Sequence, residues 1–528
     1  MGKLIESLFD KGLLSAMGDK QSTADKRFIN PPISYWIAST PGTNYPALQE
    51  DLKVDVAIVG GGMVGITSAY LLSQEGLKVA VLEADQILLG TSAHTTAKLT
   101  SQHGLIYAQL QKKLGQEKIK QYAEANESAL RFVAKLVEEQ QIDCDFSWQP
   151  AYIYTESDDY VQKIEDEVKA ASELGIKASF EKKLELPIQI RGAVRFDQQA
   201  QFHSRKYLLA LAQKIVDKGG SLFEQTRVVD LGGEGEGPYT VTTAAGNKVT
   251  ATHVIMAAHY PFNFFPGLYF TRIYTERAYA VVAKAQEKFP GGIYINAEEP
   301  ARSLRSLPTT EGERILIVGE KHKTGQGENL RKHYEDLMDF AEQLFTVEDF
   351  PYRWSAQDCT SLDDIPYIGR MSARSPNLYV ATGFRKWGMT NSTVSGLLLR
   401  DLIVKGESPW EEVYDPSRMT TVSSATQFLV QNADVAANLI SGKLKSVPEK
   451  VEVETSEGKV EKKEGQRVGV FKDEQGRLHT VDTTCAHLGC ELHWNNAEHS
   501  WDCPCHGSRY TVDGEILEGP TVKPLKVL

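Results

Sequence analysis

The sequence predicts an α/β protein: a doubly wound parallel sheet interrupted by an inserted mixed-sheet (α+β) domain, with a small separate domain at the C-terminus. Three observations predict it. Residues 54–85 read strand, glycine turn, helix and strand in that order. Between residues 105 and 403, helix-period and alternating segments interleave instead of falling into two blocks. Beyond a helical stretch near residues 415–448 the pattern changes, and two short Cys/His clusters follow.

The first element, VDVAIVGGGMVGITSAYLLSQEGLKVAVLEAD, is an apolar strand running into a glycine turn and a helix. Gly60, Gly62 and Gly65 make GxGxxG: the first permits the tight turn, the second lets backbone approach a pyrophosphate, and the third lets helix and strand pack closely. Glu83 closes the second strand, where a carboxylate accepts hydrogen bonds from a ribose diol. Together these define a Rossmann-like dinucleotide site, with phosphates at the helix N-terminus. The helical region 105–140 then leaves this fold, and residues 148–157 and 275–285 alternate as strands of the inserted sheet. Residues 202–220 read as a helix, and FEQTRVVDL and VTATHVIMAA as strands returning to the nucleotide-binding part. Residues 377–403 give a strand, a glycine-rich turn from Gly383 to Gly388, and an apolar-periodic helix beginning near Thr390.

The C-terminal clusters are CAHLGC at residues 485–490 and CPCHGSRY at residues 503–510. They resemble a Rieske [2Fe–2S] site, in which one iron is held by two thiolates and the other by two imidazoles. The resemblance implies Cys485, His487, Cys503 and His506 as ligands on two facing loops. Two cysteines and two histidines are also a zinc set, although zinc fingers rarely pair each cysteine with its own histidine in this way. Cys490 and Cys505 occupy the positions at which Rieske proteins of cytochrome bc complexes carry a disulfide. Ser508 and Tyr510 match the hydroxyls that, in those proteins, donate hydrogen bonds to a bridging sulfide and a ligand sulfur. Such donors favour the reduced cluster and imply a potential toward the upper part of a range of roughly −150 to +300 mV.

The stretch LLGTSAHTTAKLTSQHG at residues 88–104 resembles the segment that D-amino-acid-oxidase-type flavoenzymes lay along the flavin, so FAD is the expected dinucleotide. Residues 358–370 and 377–403 resemble that family's second flavin-contacting region. The resemblance implies Thr91, Ser92, His94, Gly383, Gly388 and Met389 beside the flavin, and Val228, on the strand from Thr226, beside the adenine. GTSAH at residues 90–94 is also similar to the segment where dimethylglycine and sarcosine dehydrogenases attach FAD through a histidine. His94 is thus read either as a covalent anchor or as a neighbour without a bond. Over residues 31–528 the chain resembles a D-amino-acid-oxidase-type (glycine oxidase- or sarcosine dehydrogenase-like) oxidoreductase fused to a Rieske domain, expected to be small and all-β. The expected organisation is an N-terminal extension over 1–50, the FAD-dependent part over 51–415, a connecting helix over 416–448 and the Rieske domain over 449–528. Within 51–415, the FAD-binding pieces are 51–105, 195–260 and 310–415, and the substrate-domain pieces 106–194 and 261–309.

At 528 residues the chain is long enough for two or three cores. A formal charge of −12, evenly spread, argues against a nucleic-acid partner. No run of about 18 apolar residues predicts a membrane span. The first twenty residues contain acids without a continuous apolar core, so they read as an amphipathic helix or a disordered tail, not a secretory signal. Cys144 and Cys359 read as buried thiols, and a cytoplasmic location is expected.

The two centres together predict a dehydrogenase in which substrate hydride passes to FAD and electrons then move singly to the cluster and on to an external acceptor. The flavoenzyme resemblance makes a small amine or amino acid the expected substrate. Arg277, Arg305 and Arg385 lie in segments read as pocket-lining, where an arginine anchors a carboxylate, with Tyr279 and His322 as assisting groups. The alternative is a reductase carrying electrons from a nicotinamide through FAD to the cluster, against which stands the single GxGxxG. A Rieske oxygenase needs a mononuclear iron on two histidines and a carboxylate, and no helix with that spacing is visible.

Overall fold

The computed structural model describes residues 25–262, 267–418 and 422–528, so the expected N-terminal helix or tail lies outside the described residues. Strand β1 (Leu52–Val59) is followed by helix α1 (Met63–Gln74) and strand β2 (Val79–Leu82). The second half of β1 and all of β2 are buried. This is why the strands read as continuous apolar runs: a parallel strand covered on both faces has no solvent side to alternate toward. Strand β3 (Lys248–Met256) pairs with β1 in parallel, Val59 opposite Met256, and β2 flanks its other edge, Val56 opposite Val79. Strands at Ser375–Thr382 and Ser221–Phe223 extend the sheet in parallel on the two sides.

The second sheet has nine strands, the first of which, Lys98–Leu99, lies within the 88–104 segment. Its far end is built from β4 (Ile273–Ala285), β5 (Gly312–Lys323) and β6 (Val347–Ser361). The pairs are antiparallel except one, Ser147–Thr155 with Ile293–Asn296. The expected piece boundaries need correction here. Residues 312–361 fall within the expected FAD-binding piece, yet β5 and β6 pair with β4 in the mixed sheet. Local alternation identifies a strand but not its partner, which only tertiary pairing chooses. The Gly192–Gln201 strand likewise crosses the expected boundary at residue 195.

Helix α2 (Gly388–Val404) begins two residues before the expected Thr390 and is buried along most of its length against α1. Helix α3 (Val422–Leu444) lies where the connecting helix was expected. The last residues form two small antiparallel sheets of three and four strands, the latter including β7 (Ser500–Asp502), β8 (Arg509–Tyr510) and β9 (Ile516–Glu518). Four cysteines sit in the core of this unit beside Val481, Leu492, Trp501 and Tyr510. A domain so small depends on its cross-links. Among the described residues no helix is long and apolar enough to cross a membrane.

Candidate redox sites

The glycine turn is a cradle with no room for side chains. Gly60 has φ +111°, and a Cβ there would lie 2.5 Å from the Ala257 carbonyl oxygen; a Cβ on Gly65 would lie 1.9 Å from the Gly60 oxygen. Helix α1 therefore sits directly on the turn. At Gly62 a Cβ would meet Ser92 Oγ at 3.0 Å, and that hydroxyl accepts from the Met63 N–H at 2.9 Å. The 88–104 segment is thus tied to the helix N-terminus. Glu83 accepts from the Gly61 N–H at 2.7 Å and the Asp85 N–H at 3.0 Å, while burial raises its carboxyl. A bare backbone, an oriented helix terminus and an acid at the second strand suit a dinucleotide.

Beside the cradle lies a cavity of about 790 Å³. Met63, Thr91, His94, His103, Trp387 and Gly388 line one side. The opposite wall is one face of the β4–β6 ladder, in cross-strand pairs: Glu276 with Asp358, Ala278 with Ala356, Ala280 with Trp354. Small alanines make the volume. The paired acids place like charges directly opposite each other, which a sheet tolerates poorly without cause. Burial pushes the Asp358 carboxyl up to about 7, with Lys386 opposing the rise and Glu276 adding to it. Burial pushes the Lys98 amine well down, and Arg305 and Lys386 push it further.

Thr91, His94 and Gly388 line the cavity, Gly383 turns behind it at φ +78°, and Met389 is buried at the start of α2. His94 Nδ1 lies 2.8 Å from the Gly90 carbonyl and must donate to it, so the free tautomeric lone pair is on Nε2. Val228 is buried at the start of its strand, two residues after Thr226, whose N–H donates to the Glu83 carbonyl. Of the five substrate candidates, Arg385 lines the cavity, with φ +54° and a 3.6 Å ion pair to Asp364. The expectation for the other four is corrected. Arg305 is buried beneath the site, donating to the Thr96 and Ser306 carbonyls. Arg277 lies on the sheet face away from the cavity and donates to Ser355 Oγ and Glu518. Tyr279 donates to His322 Nε2 at 3.0 Å, within a ring stack that includes His333. Strand alternation sends these odd-numbered β4 residues to the face away from the cavity. His103, Trp387, Glu276 and Asp358 were missed; the same alternation, applied to β4, would have found Glu276.

The C-terminal site is built from two loops of the same design. Each ligand cysteine's N–H donates five residues on, Cys485 to Cys490 O and Cys503 to Ser508 O, both at 2.8 Å. Each loop closes with a glycine N–H donating back, Gly489 to Cys485 O and Gly507 to Cys503 O. Both glycines are left-handed, at φ +76° and +78°. The His487 and His506 rings stand edge to face with centroids 5.0 Å apart. Cys490 and Cys505 are bonded to each other as a disulfide between the loops. The Cys503 thiol is pushed well up by the adjacent Cys485 and by burial. One negative sulfur disfavours the second, a conflict that a bound cation removes. Burial keeps both imidazoles neutral, with His506 down to about 3, and His506 Nδ1 is buried without a hydrogen-bond partner. Two thiolates, two neutral imidazoles and an orphaned nitrogen fit a metal cluster. The Tyr510 hydroxyl lies 3.4 Å from Cys485 Sγ and accepts from the Ala486 N–H, and the Ser508 hydroxyl also favours the Cys485 thiolate.

A dinucleotide cradle opening on a cavity walled by a mixed sheet, beside a separately built Cys/His loop pair, defines a flavin-dependent oxidoreductase carrying an iron–sulfur domain. The chain belongs to the FAD dependent oxidoreductase family, whose model matches residues 55–402, and ends in a Rieske [2Fe-2S] domain matching residues 443–528. It is similar to a Bacillus subtilis (strain 168) protein named as a Rieske 2Fe-2S iron-sulfur protein, YhfW, at 44% identity over 94% of this chain and 97% of that one. The gamma-glutamylputrescine oxidoreductase of Escherichia coli (strain K12) is 23% identical over 70% of this chain and 88% of its own. Glycine oxidase from Geobacillus kaustophilus superposes with a TM-score of 0.60 at 19% identity, covering 70% of this chain and all of the other, a likeness of fold. The family accounts for FAD and a [2Fe-2S] cluster as the resident cofactors.

Proposed function

We propose that the protein oxidises a carbon–nitrogen bond of a small amine or amino acid and passes the electrons through its Rieske cluster to an external acceptor. The observation that carries this reading is the cavity, walled on one side by the flavin-binding segment and on the other by the Glu276/Asp358 acid pair. Names of relatives agree with it, one an oxidase of an amino acid and one acting on an acylated diamine. Bound FAD supplies a two-electron acceptor and the cluster a one-electron one.

The chain's own groups supply the rest. An amine is protonated in water and must be neutral before it can be oxidised. A carboxyl near 7 is matched to take that proton at neutral pH, and Asp358 holds it on a carboxylate oxygen while Glu276 favours a cationic ligand. Arg385 meets a carboxylate if the substrate is an amino acid. Phe384 and Trp387, the latter stacked on His103 at 4.9 Å, keep water from the cavity wall.

The test is anaerobic mixing of the holoprotein with a panel of amino acids and N-methyl amines, and separately with NADH, following flavin absorbance and the cluster's EPR signal. An amine or amino acid is expected to bleach the flavin, after which the reduced Rieske signal grows. Bleaching by NADH alone would replace this reading with the reductase.

A further inference from the structure

The cluster loop does not hang free of the oxidoreductase domain. Gly507, next to the ligand His506, packs so tightly on the mixed sheet that a Cβ there would lie 2.5 Å from Thr275 Oγ1 and 2.8 Å from Gln357 Oε1. From the other side, a Cβ on Gly325 would lie 2.5 Å from Pro504 N. Gly325 therefore makes room for the backbone of the cluster loop, and Gly507 for the Thr275 and Gln357 side chains of the sheet. His493 Nδ1 donates to the Gly325 carbonyl at 2.7 Å, and Phe270 meets the His506 ring edge to face at 5.9 Å.

One residue grips both sides of this junction. Gln357, on β6 and 1% exposed, donates from Nε2 to the Gly507 carbonyl at 3.0 Å. Its own backbone carbonyl accepts from Thr91 Oγ1 at 3.3 Å and His259 Nε2 at 3.0 Å. Thr91 belongs to the segment against the flavin cavity, and His259 lines that cavity too. Flavin segment, sheet and cluster loop are thus joined through a single buried amide residue.

A chain of alternating charges fixes the orientation. Arg277 Nη1 pairs with Glu518 Oε2 at 3.1 Å, the same oxygen lies 3.4 Å from Arg509 Nη1, and Arg509 Nε pairs with Asp502 Oδ1 at 2.9 Å. Arg509 stands between Ser508 and Tyr510 in sequence, so its side chain turns away from the cluster while theirs turn toward it. Arg277, read from sequence as a substrate anchor, holds this strand.

We propose that Gln357 is a positioning residue that clamps the cluster-ligand loop to the flavin-binding segment, so that the Rieske domain works from one docked position and not by swinging on its linker. The inference rests on the proposed passage of electrons from FAD to the cluster.

The experiment compares full-length holoprotein with Gln357→Leu and the isosteric Gln357→Glu, each first checked for FAD content and the cluster's EPR line shape. Hydrogen exchange is read over residues 484–491 and 503–509. In parallel, bound FAD is photoreduced with a deazaflavin and EDTA, without substrate. Photoreduction puts two electrons on FAD; one passes to the diferric cluster, which becomes ferric–ferrous and EPR-visible, and the rate of that signal is recorded. The variants are expected to keep both cofactors, exchange faster around Gly507, and transfer roughly tenfold more slowly or worse, since a docked domain becomes a tethered one. Unchanged exchange and an unchanged transfer rate in both variants would overturn the clamp. Faster exchange with an unchanged rate would overturn its positioning role. A wild-type protein whose cluster is never reduced by photoreduced FAD would instead sink the proposed function, while the exchange data still read the clamp. If Gln357→Leu loses a cofactor, Gln357→Glu, which keeps volume and removes the donor, decides.

Discussion

Tyr510 shows how far a single hydroxyl reaches in this molecule. Its side chain is fully buried, its oxygen accepts from the Ala486 N–H at 3.2 Å, and its proton is left to point at Cys485 Sγ, 3.4 Å away. Negative charge on that sulfur grows when the cluster is reduced, so the bond is worth more in the reduced state. If the difference is about 1 kcal/mol, loss of the hydroxyl lowers the potential by roughly 40 mV for a one-electron couple. Tyr510→Phe is accordingly expected to lower the midpoint in an EPR-monitored redox titration, with the cluster still assembled. An unshifted midpoint would mean the hydroxyl serves only the Ala486 amide. The role was legible in sequence because all the participants lie within two short motifs. Arg277 was not, because its partner Glu518 is 241 residues away and nothing local in β4 announces it.

At the level of elements, the turn between β1 and α1 is the least forgiving part of the fold. A methyl on Gly65 would sit 1.9 Å from the Gly60 oxygen, and neither atom is the far end of a flexible chain, so α1 would have to lift off β1. Overpacking of this kind costs about 3 kcal/mol or more. Gly65→Ala is expected to purify with little FAD and a depressed melting temperature. Gly62→Ala, whose methyl meets Ser92 Oγ at 3.0 Å where the pyrophosphate is expected to approach, is expected to lose FAD as well but with a smaller fall in melting temperature. Equal flavin content in Gly65→Ala and wild type, measured from the absorbance ratio at the flavin and protein bands, would show that the helix is less tightly seated than the geometry requires. This element was readable because strand, turn and helix are contiguous and each glycine has a local reason. The division between the two large sheets was not. Nothing local in residues 312–323 and 347–361 names the sheet they join, and only their antiparallel pairing with β4 assigns them.

For the whole molecule, the question is what keeps the two redox domains together. The covalent connection is α3 and the exposed stretch after it; the contacts include Gln357 with Gly507, Arg277 with Glu518, Tyr334 with Glu498 at 2.6 Å, and the Leu330 N–H with Asn496 at 3.0 Å. Helix α3 also packs Val435 and Leu439 against the cluster core. A tether alone gives an effective concentration in the millimolar range and a domain that samples many positions. A buried, interlocked interface predicts more: the connection is dispensable once the domains have met. A protease site inserted at Lys450 and cut after purification is expected to give two fragments that elute together, with FAD and cluster retained. Raising the salt to about 0.5 M should not separate them, because the Arg277–Glu518 pair is shielded from the ions that screen surface charges. Fragments that part under native conditions would show that the linker does the holding, and the domain would then have to find its partner anew at each electron transfer.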